Sequence, residues 1–279
     1  MRHLTTGHSP DADDAFMFYA LTAGLVPLDG PEPAEITAVH DDIQSLNERA
    51  QSAELDISQI SAAAHPGRRP PLLNTPLGSS MGENYGPVVV APRAMTPQDL
   101  AGARIAVPGP HTTAFSLARM YLPAFQPVQV PFDQAFDAVD DGRAQAAVVI
   151  HEGQLTYAAA GFSKVLDLGQ AWFADTGLPL PLGINIVRRD LGDDWCQAIA
   201  TALAASIDYA RANPAQALQH ARAIGVDLDE AITTRFTDMY VTDLTRNMGP
   251  RGHAALTTLY QRSPDSQAKP VPLDIVPAP

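Results

Sequence analysis

A single cysteine, Cys196, stands among 279 residues, so no disulfide can form within the chain. No Cys/His grouping has the spacing of a zinc site, and a reducing compartment fits. Long apolar runs are missing, and none approaches the roughly 18 residues that a membrane-spanning helix needs. Basic residues are scarce: 18 Lys and Arg stand against 31 Asp and Glu, for a net charge of -13. Such a field repels phosphate backbones and anionic bilayers, so neither nucleic acid nor a membrane is an expected partner. A small anionic organic ligand stays open, because a few donors at contact distance outweigh the field of the whole molecule. The opening residues run from Met1 to Asp11, Asp13 and Asp14 without the apolar stretch of a secretory signal, and a cytoplasmic location is expected.

Several fingerprints are absent as well. There is no Gly-rich dinucleotide or nucleoside-triphosphate loop. Gly7-His8-Ser9-Pro10-Asp11 lacks the last Gly of a nucleophile elbow. The acidic run Asp11, Asp13, Asp14 lacks the Gly and the closing Glu of a calcium loop, with Phe16 and Thr22 in their places.

What is present is a folding chain: 46% of residues are hydrophobic and 18% charged. The first half alternates short apolar runs with helix-period segments, the pattern of strand-helix-strand units around a mostly parallel sheet. Strands are expected at residues 3–7, 35–40, 55–60 and 104–107. Helices are expected at 13–23, 41–51, from Ser61 and at 112–122. Further strands are read at 128–130, 146–150 and 163–166, with short helices at 133–139 and 153–159. From residue 190 the pattern is helical, with Trp195, Ile199, Ala202 and Ile207 on one face and later helices near 214–223, 228–240 and 250–262. A Pro-rich tail from Ser263 reads as extended. Gly/Pro-rich stretches at 78–87 and 177–183 each feed an apolar strand, and these read as two crossings between lobes. The expected layout has a discontinuous first lobe of residues 1–88 and 188–279 and a second of 89–187, around a central cleft. A hinge is expected at 88–91 and 184–187.

In open α/β sheets, ligands sit beyond the carboxyl ends of strands, where helix N-termini present free N–H groups. Four junctions qualify: Ser9 to Asp14, Ser61, His111-Thr112-Thr113, and His151-Glu152. Singly, Ser61, Thr112 and Thr113 are explained by helix capping, and the three Asp by the preference for acids in a first turn. Two adjacent Thr also have the hydroxyls and N–H groups of a carboxylate pocket. His151 reads equally as a structural strand end or as a general base.

Gly7-His8-Ser9-Pro10 with Asp14-Ala15-Phe16, Pro108-Gly109 with Thr112-Thr113-Ala114, Ile150-His151-Glu152, and the run Thr176 to Gly183 together resemble the 1,4-dihydroxy-6-naphthoate synthase family. The similarity covers about residues 3 to 260. It implies a periplasmic-binding-protein type II fold and a lyase of menaquinone biosynthesis by the futalosine route. Such an enzyme converts cyclic dehypoxanthinylfutalosine to 1,4-dihydroxy-6-naphthoate and dihydroxyacetone without metal or organic cofactor. Carried over by motif, His151 is the proton acceptor and Asp14 an acid facing the cleft. Ser9, Gln59, Ile60, Ser61, Thr112 and Thr113 contact substrate, and a homodimer is left open. The chain departs from the family pattern at Asp11-Ala12-Asp13, where Cys, Pro and Asn are usual, at Thr242, and over 243–249. The competing expectations are a solute-binding protein that traps an anion and the sister enzyme chorismate dehydratase. A receptor needs no base at position 151.

Overall fold

The computed structural model describes residues 1–64, 72–225 and 229–264. Eleven strands build two sheets among these residues. In chain order they are β1 Arg2–His8, β2 Ala34–His40, β3 Ile57–Ser61, β4 Leu72–Asn74, β5 Ser80–Gly82, β6 Val88–Ala91, β7 Arg104–Val107, β8 Gln126–Gln129, β9 Ala146–Val149, β10 Ser163–Asp167 and β11 Leu180–Arg188. The first sheet runs β2-β1-β3-β11-β4, with β5 also on β11; the second runs β10-β6-β9-β7-β8.

Both sheets are mixed, which corrects the expectation of a mostly parallel one. β1 is parallel to β2 and β3, and β7 to β8 and β9. β11 is antiparallel to β3, and β6 to β9. The strands that enter after a crossing therefore run against the rest. β4, β5 and the helix at 168–176 escaped the sequence pattern, since three-residue strands are too short to show a period. The helix expected at 153–159 closes after one turn, Gly153–Thr156. Most of the Pro-rich tail lies outside the described residues.

Helices cover the sheets: α1 Ala12–Thr22, α2 Ile43–Gln51, α3 Thr113–Tyr121, α4 Ala135–Asp140, α5 Gly153–Thr156, α6 Leu168–Thr176, α7 Asp193–Ala212, α8 Pro214–Ile224, α9 Glu230–Tyr240, α10 Asp243–Arg246 and α11 Gly249–Arg262. α1 is apolar on nearly every side and buried almost throughout, as a helix boxed in by others must be. It packs on α7, α8 and α9. In α7, Trp195, Ile199, Leu203 and Ile207 recur every four residues and face Leu4, Phe18 and Ile57. Val90, Ala106, Ala138 and Val149 make a second core. A third includes Ile60 and Ile184 of the first sheet with Val89 and Ile105 of the second, so apolar packing continues from one sheet to the other. None of the described helices is long and apolar enough to cross a membrane.

The chain passes between sheets at residues 83–87 and 168–179, not at 88–91 and 184–187. Val88–Ala91 is fully buried and laddered to both β9 and β10, while 183–187 is laddered to β3. Neither is free to bend. By its pairing, β11 belongs with the first sheet, against the expected inclusion of 180–187 in the second lobe. The two crossings touch: the Leu168 amide donates to the Pro87 carbonyl at 2.9 Å, and Gly86 lies against Gly169.

His8 ends β1 in a sealed position. Its ring stacks on Phe18 at 4.9 Å and meets His40 edge-on at 4.6 Å, and Nδ1 lies 2.9 Å from the Ser9 carbonyl. Burial disfavours the imidazolium and lowers the pKa from 6.5 to about 4, although the Ser9 contact opposes this. The unfolded chain takes up this proton below pH 6.5 and the native state only near 4, so stability is lost as pH falls through that window. At 1.36 kcal/mol per unit the loss is about 3 kcal/mol. Denaturant unfolding at pH 7 and pH 4 is expected to show a smaller acid loss for His8→Phe than for the parent. Equal losses would remove His8 from the account.

Candidate active site

Between the two sheets lies a cavity of about 510 Å³, counted with its open mouth. Gln59, Ser61, Ser80, Thr112, Thr113 and His151 supply polar wall, and Ile43, Leu182, Phe236 and Tyr240 supply apolar wall. Three of the four strand-to-helix junctions thus place the expected side chains on one space. From the first, Ser9 to Asp14, it is Asp11 and Asp13 that line the cavity.

His151 follows β9 with φ +52°, a left-handed backbone that few non-glycine residues adopt. That conformation costs on the order of 1–3 kcal/mol and marks a constraint imposed from outside the local sequence. The constraint is visible. Nδ1 lies 2.7 Å from Asp11 Oδ2, the Phe132 ring meets the imidazole edge-on at 4.6 Å, and Nε2 is buried without a partner among the described residues.

Asp11 precedes α1 as its N-cap, yet its carboxylate makes no cap hydrogen bond to the helix. One oxygen goes to His151 and the other accepts from the Ser9 hydroxyl. Burial alone would raise the Asp11 pKa, but the His151 charge and these hydrogen bonds prevail and hold it below the ordinary Asp value. Burial works against a charged His151 too; the Asp11 charge and hydrogen bond overcome it and raise the pKa to about 9. At neutral pH Asp11 and His151 therefore form an ion pair.

Asp13 and Asp14 differ. Burial first, then the nearby Asp11 charge, pushes both well above the ordinary Asp range. Asp13 accepts from the Ser80 hydroxyl at 2.6 Å. Ser9 Oγ lies 3.2 Å from Asp14 Oδ2. A hydrogen bond between Asp14 and Asp11 lowers the pKa of Asp11 and raises that of Asp14, so Asp14 is the donor to the Asp11 carboxylate. The three carboxyl groups come within 4.8 Å of one another, near enough to share a cation; Asp11 is also engaged by His151 and Ser9.

The geometry corrects several expected contacts. Asp14 is wholly buried and, like Ser9, stands behind the wall instead of facing the cavity. The carboxylate that touches the imidazole is Asp11. Ile60 points into the core because side chains alternate along β3, leaving Gln59 and Ser61 on the cavity side. Thr112 Oγ1 donates to the Gly109 carbonyl at 2.8 Å and accepts from the Phe115 amide. Thr113 Oγ1 donates to the Leu182 carbonyl and accepts from Ala63, each at 3.0 Å. The hydroxyl hydrogens expected to bind a carboxylate are already engaged. The amides of Thr113 and Ala114, at the first turn of α3, have no acceptor among the described residues.

Other wall residues were missed. Tyr240 donates to Gln154 Oε1 at 2.7 Å, and with Phe236 it closes one side. In sequence the two are ordinary apolar positions four apart on a helix. Asn47 accepts from the Ser61 amide at 2.7 Å and donates to its hydroxyl at 3.0 Å, so it fixes that wall. Its neighbours in the chain carry no sign of this.

Comparison with known proteins agrees with the architecture and the motifs. A family described as menaquinone biosynthesis matches residues 4–265. A 1,4-dihydroxy-6-naphtoate synthase of Thermus thermophilus is 37% identical over 260 residues, 93% of each chain. One of Streptomyces coelicolor is 34% identical over 266 residues, 93% of this chain and 92% of that one. The crystal structure of protein AF1704 from Archaeoglobus fulgidus is 43% identical, with a TM-score of 0.86 over 93% of this chain and 96% of that. The alkanesulfonate-binding protein SsuA of Xanthomonas axonopodis pv. citri superposes with a TM-score of 0.70 over 99% of this chain and 98% of its own, at 15% identity, which shows a shared periplasmic-binding-protein-like fold alone. By the extent of the family match and the identity to these relatives, the chain belongs to the menaquinone biosynthesis family.

Proposed function

We propose that this enzyme of menaquinone synthesis is a carbon-carbon lyase that converts cyclic dehypoxanthinylfutalosine to 1,4-dihydroxy-6-naphthoate and dihydroxyacetone, with His151 as general base. The observation that carries the reading is the imidazole itself: Nδ1 is anchored on Asp11 and Nε2 stands buried at the cavity wall, unpartnered among the described residues. Cleaving a carbon-carbon bond beside an oxygenated carbon requires a proton to leave as the bond breaks. Nε2 accepts it, and Asp11 stabilises the imidazolium that results. Because the resting imidazole is protonated up to about pH 9, turnover rises with pH through the neutral range.

The substrate's carboxylate is assigned to the Thr113 and Ala114 amides, where the first turn of α3 offers two donors and a positive helix end. The carboxamide of Gln59, whose Oε1 is buried and unpartnered, is assigned to a substrate hydroxyl. The same reading has a lobe of residues 1–88 and 188–279 closing on one of 89–187, adjusted so that 180–187 travels with the first.

The test is to incubate the purified protein with cyclic dehypoxanthinylfutalosine and follow both products by mass spectrometry. Stoichiometric naphthoate and dihydroxyacetone are expected. Tight binding of the substrate with neither product formed would instead make the protein a receptor for it.

A further inference from the structure

We propose that Asp11 is a positioning residue that sets the tautomer of His151 and so fixes which ring nitrogen faces the cavity. The pairing rests on geometry; its consequence for turnover rests on the base role given under Proposed function.

Asp11 belongs to the segment between β1 and α1, on the first sheet, and His151 to the end of β9, on the second. Their 2.7 Å contact spans the cleft. It has company there: the Ala12 amide donates to Glu152 Oε1 at 3.2 Å, and Tyr240 of α9 donates to Gln154 at 2.7 Å. Residues 151–154 therefore dock as a unit against α1 and α9. Separation of the sheets would break all three contacts and leave the imidazole without its carboxylate.

Three features mark Asp11 as more than a helix cap. Its side chain makes no cap hydrogen bond although it occupies the cap position. Ser9 holds the oxygen that His151 does not use. His151 adopts its left-handed backbone where the pair forms. With Asp11 ionised, the hydrogen on Nδ1 is fixed toward it, so Nε2 is the nitrogen that exchanges a proton with whatever fills the cavity. The other titratable groups facing His151 are Asp13 on α1 and Glu152 at the start of α5; Asp14 and His8 face Asp11. Burial raises Asp13, Asp14 and Glu152 and keeps His8 neutral. Asp11 is the largest of the charges that favour the imidazolium, ahead of Glu152 and Asp13.

The experiment is a nitrogen and carbon NMR titration of His151 in the ligand-free full-length protein, alongside pH profiles of kcat/KM, for the parent, Asp11→Asn and Asp11→Glu. The parent imidazole is expected to titrate near 9 with its neutral form protonated on Nδ1. In Asp11→Asn burial is opposed only by the smaller influences of Glu152 and Asp13, so the midpoint is expected to fall by about one pH unit or more, and the acidic limb of kcat/KM should follow it down. The high-pH plateau of kcat should drop more than KM changes. Asp11→Glu, which keeps the charge, should restore a midpoint close to the parent's. A His151 midpoint that stays near 9 in Asp11→Asn overturns the inference. A midpoint that moves while the activity profile stays in place upholds the pairing and overturns the base role proposed above.

Discussion

His151→Asn is expected to lower kcat by about 10²- to 10⁴-fold while the protein stays folded and keeps its affinity for substrate. Asn is the apt replacement because it tolerates the left-handed backbone that position 151 adopts at φ +52°. It also retains a hydrogen-bonding group toward Asp11, so the docking of residues 151–154 against α1 survives. What it loses is a nitrogen that can take up a proton. If His151 served only to close the end of β9, turnover would be nearly unchanged. Asp14 is not placed to substitute as the base, since it is buried behind the wall and does not line the cavity. Single-turnover rates with the natural substrate, together with its dissociation constant, separate these outcomes.

Gly169→Ala is expected to cost about 3 kcal/mol of stability, or to hold the cleft open, because overpacking against backbone has no flexible partner to absorb it. A methyl group at 169 would overlap the carbonyl carbon and oxygen of Tyr85 and the nitrogen of Gly86. The reciprocal position is tight too, with a methyl at Gly86 meeting Leu180 Cδ2 at 2.8 Å and Gly169 Cα at 3.1 Å. The two crossing segments thus pass at backbone contact, and the Leu168 to Pro87 hydrogen bond clasps them there. Denaturant unfolding measures the first effect, and substrate affinity with solution scattering measures the second. A variant that unfolds at the parent's midpoint and closes normally would mean that the crossings part without cost.

The ionisation of the buried carboxyl groups carries a stability penalty of its own. Asp13 and Asp14 keep protons in the native state that the unfolded chain releases in the ordinary Asp range, so they favour folding in acid and oppose it as pH rises. His151 behaves alike at higher pH: its pairing stabilises below 6.5, and that gain is lost as pH rises toward 9. A site so arranged is kept for its chemistry.

Much of this was legible in the chain. The short apolar runs at 35–40 and 104–107 and the four-residue recurrence in α7 mark strand and helix directly, because each reports a local geometry. Gly and Pro at 78–87 and 177–183 announced the crossings, though the bends themselves fall at 83–87 and 168–179. Misplacing them had a physical cause: an apolar strand beside a loop looks the same whether it joins the sheet before it or the one after. The junction rule found Ser61, Thr112, Thr113 and His151 because helix starts after strands are local features too. Residues 11–13 stood out as part of an acidic junction after the first strand and as a departure from the family pattern, with nothing to say which of them meets His151.

Composition and periodicity alone determined that this chain folds around apolar cores, alternates strands with helices, offers no local disulfide or phosphate-loop chemistry, and gathers polar groups at strand ends. Which carboxyl group meets His151 was decided by tertiary structure, since Asp11, Asp13 and Asp14 are chemically alike and differ only in where α1 points them. The engagement of the Thr112 and Thr113 hydroxyls was decided there too, as was the placing of Phe236 and Tyr240 on the cavity. Helix and strand periods are set by neighbours within about one turn, whereas a pKa, a hydrogen-bond partner or a cavity wall is set by groups that arrive from far along the chain, as Ala12 and Glu152 do from 140 positions apart.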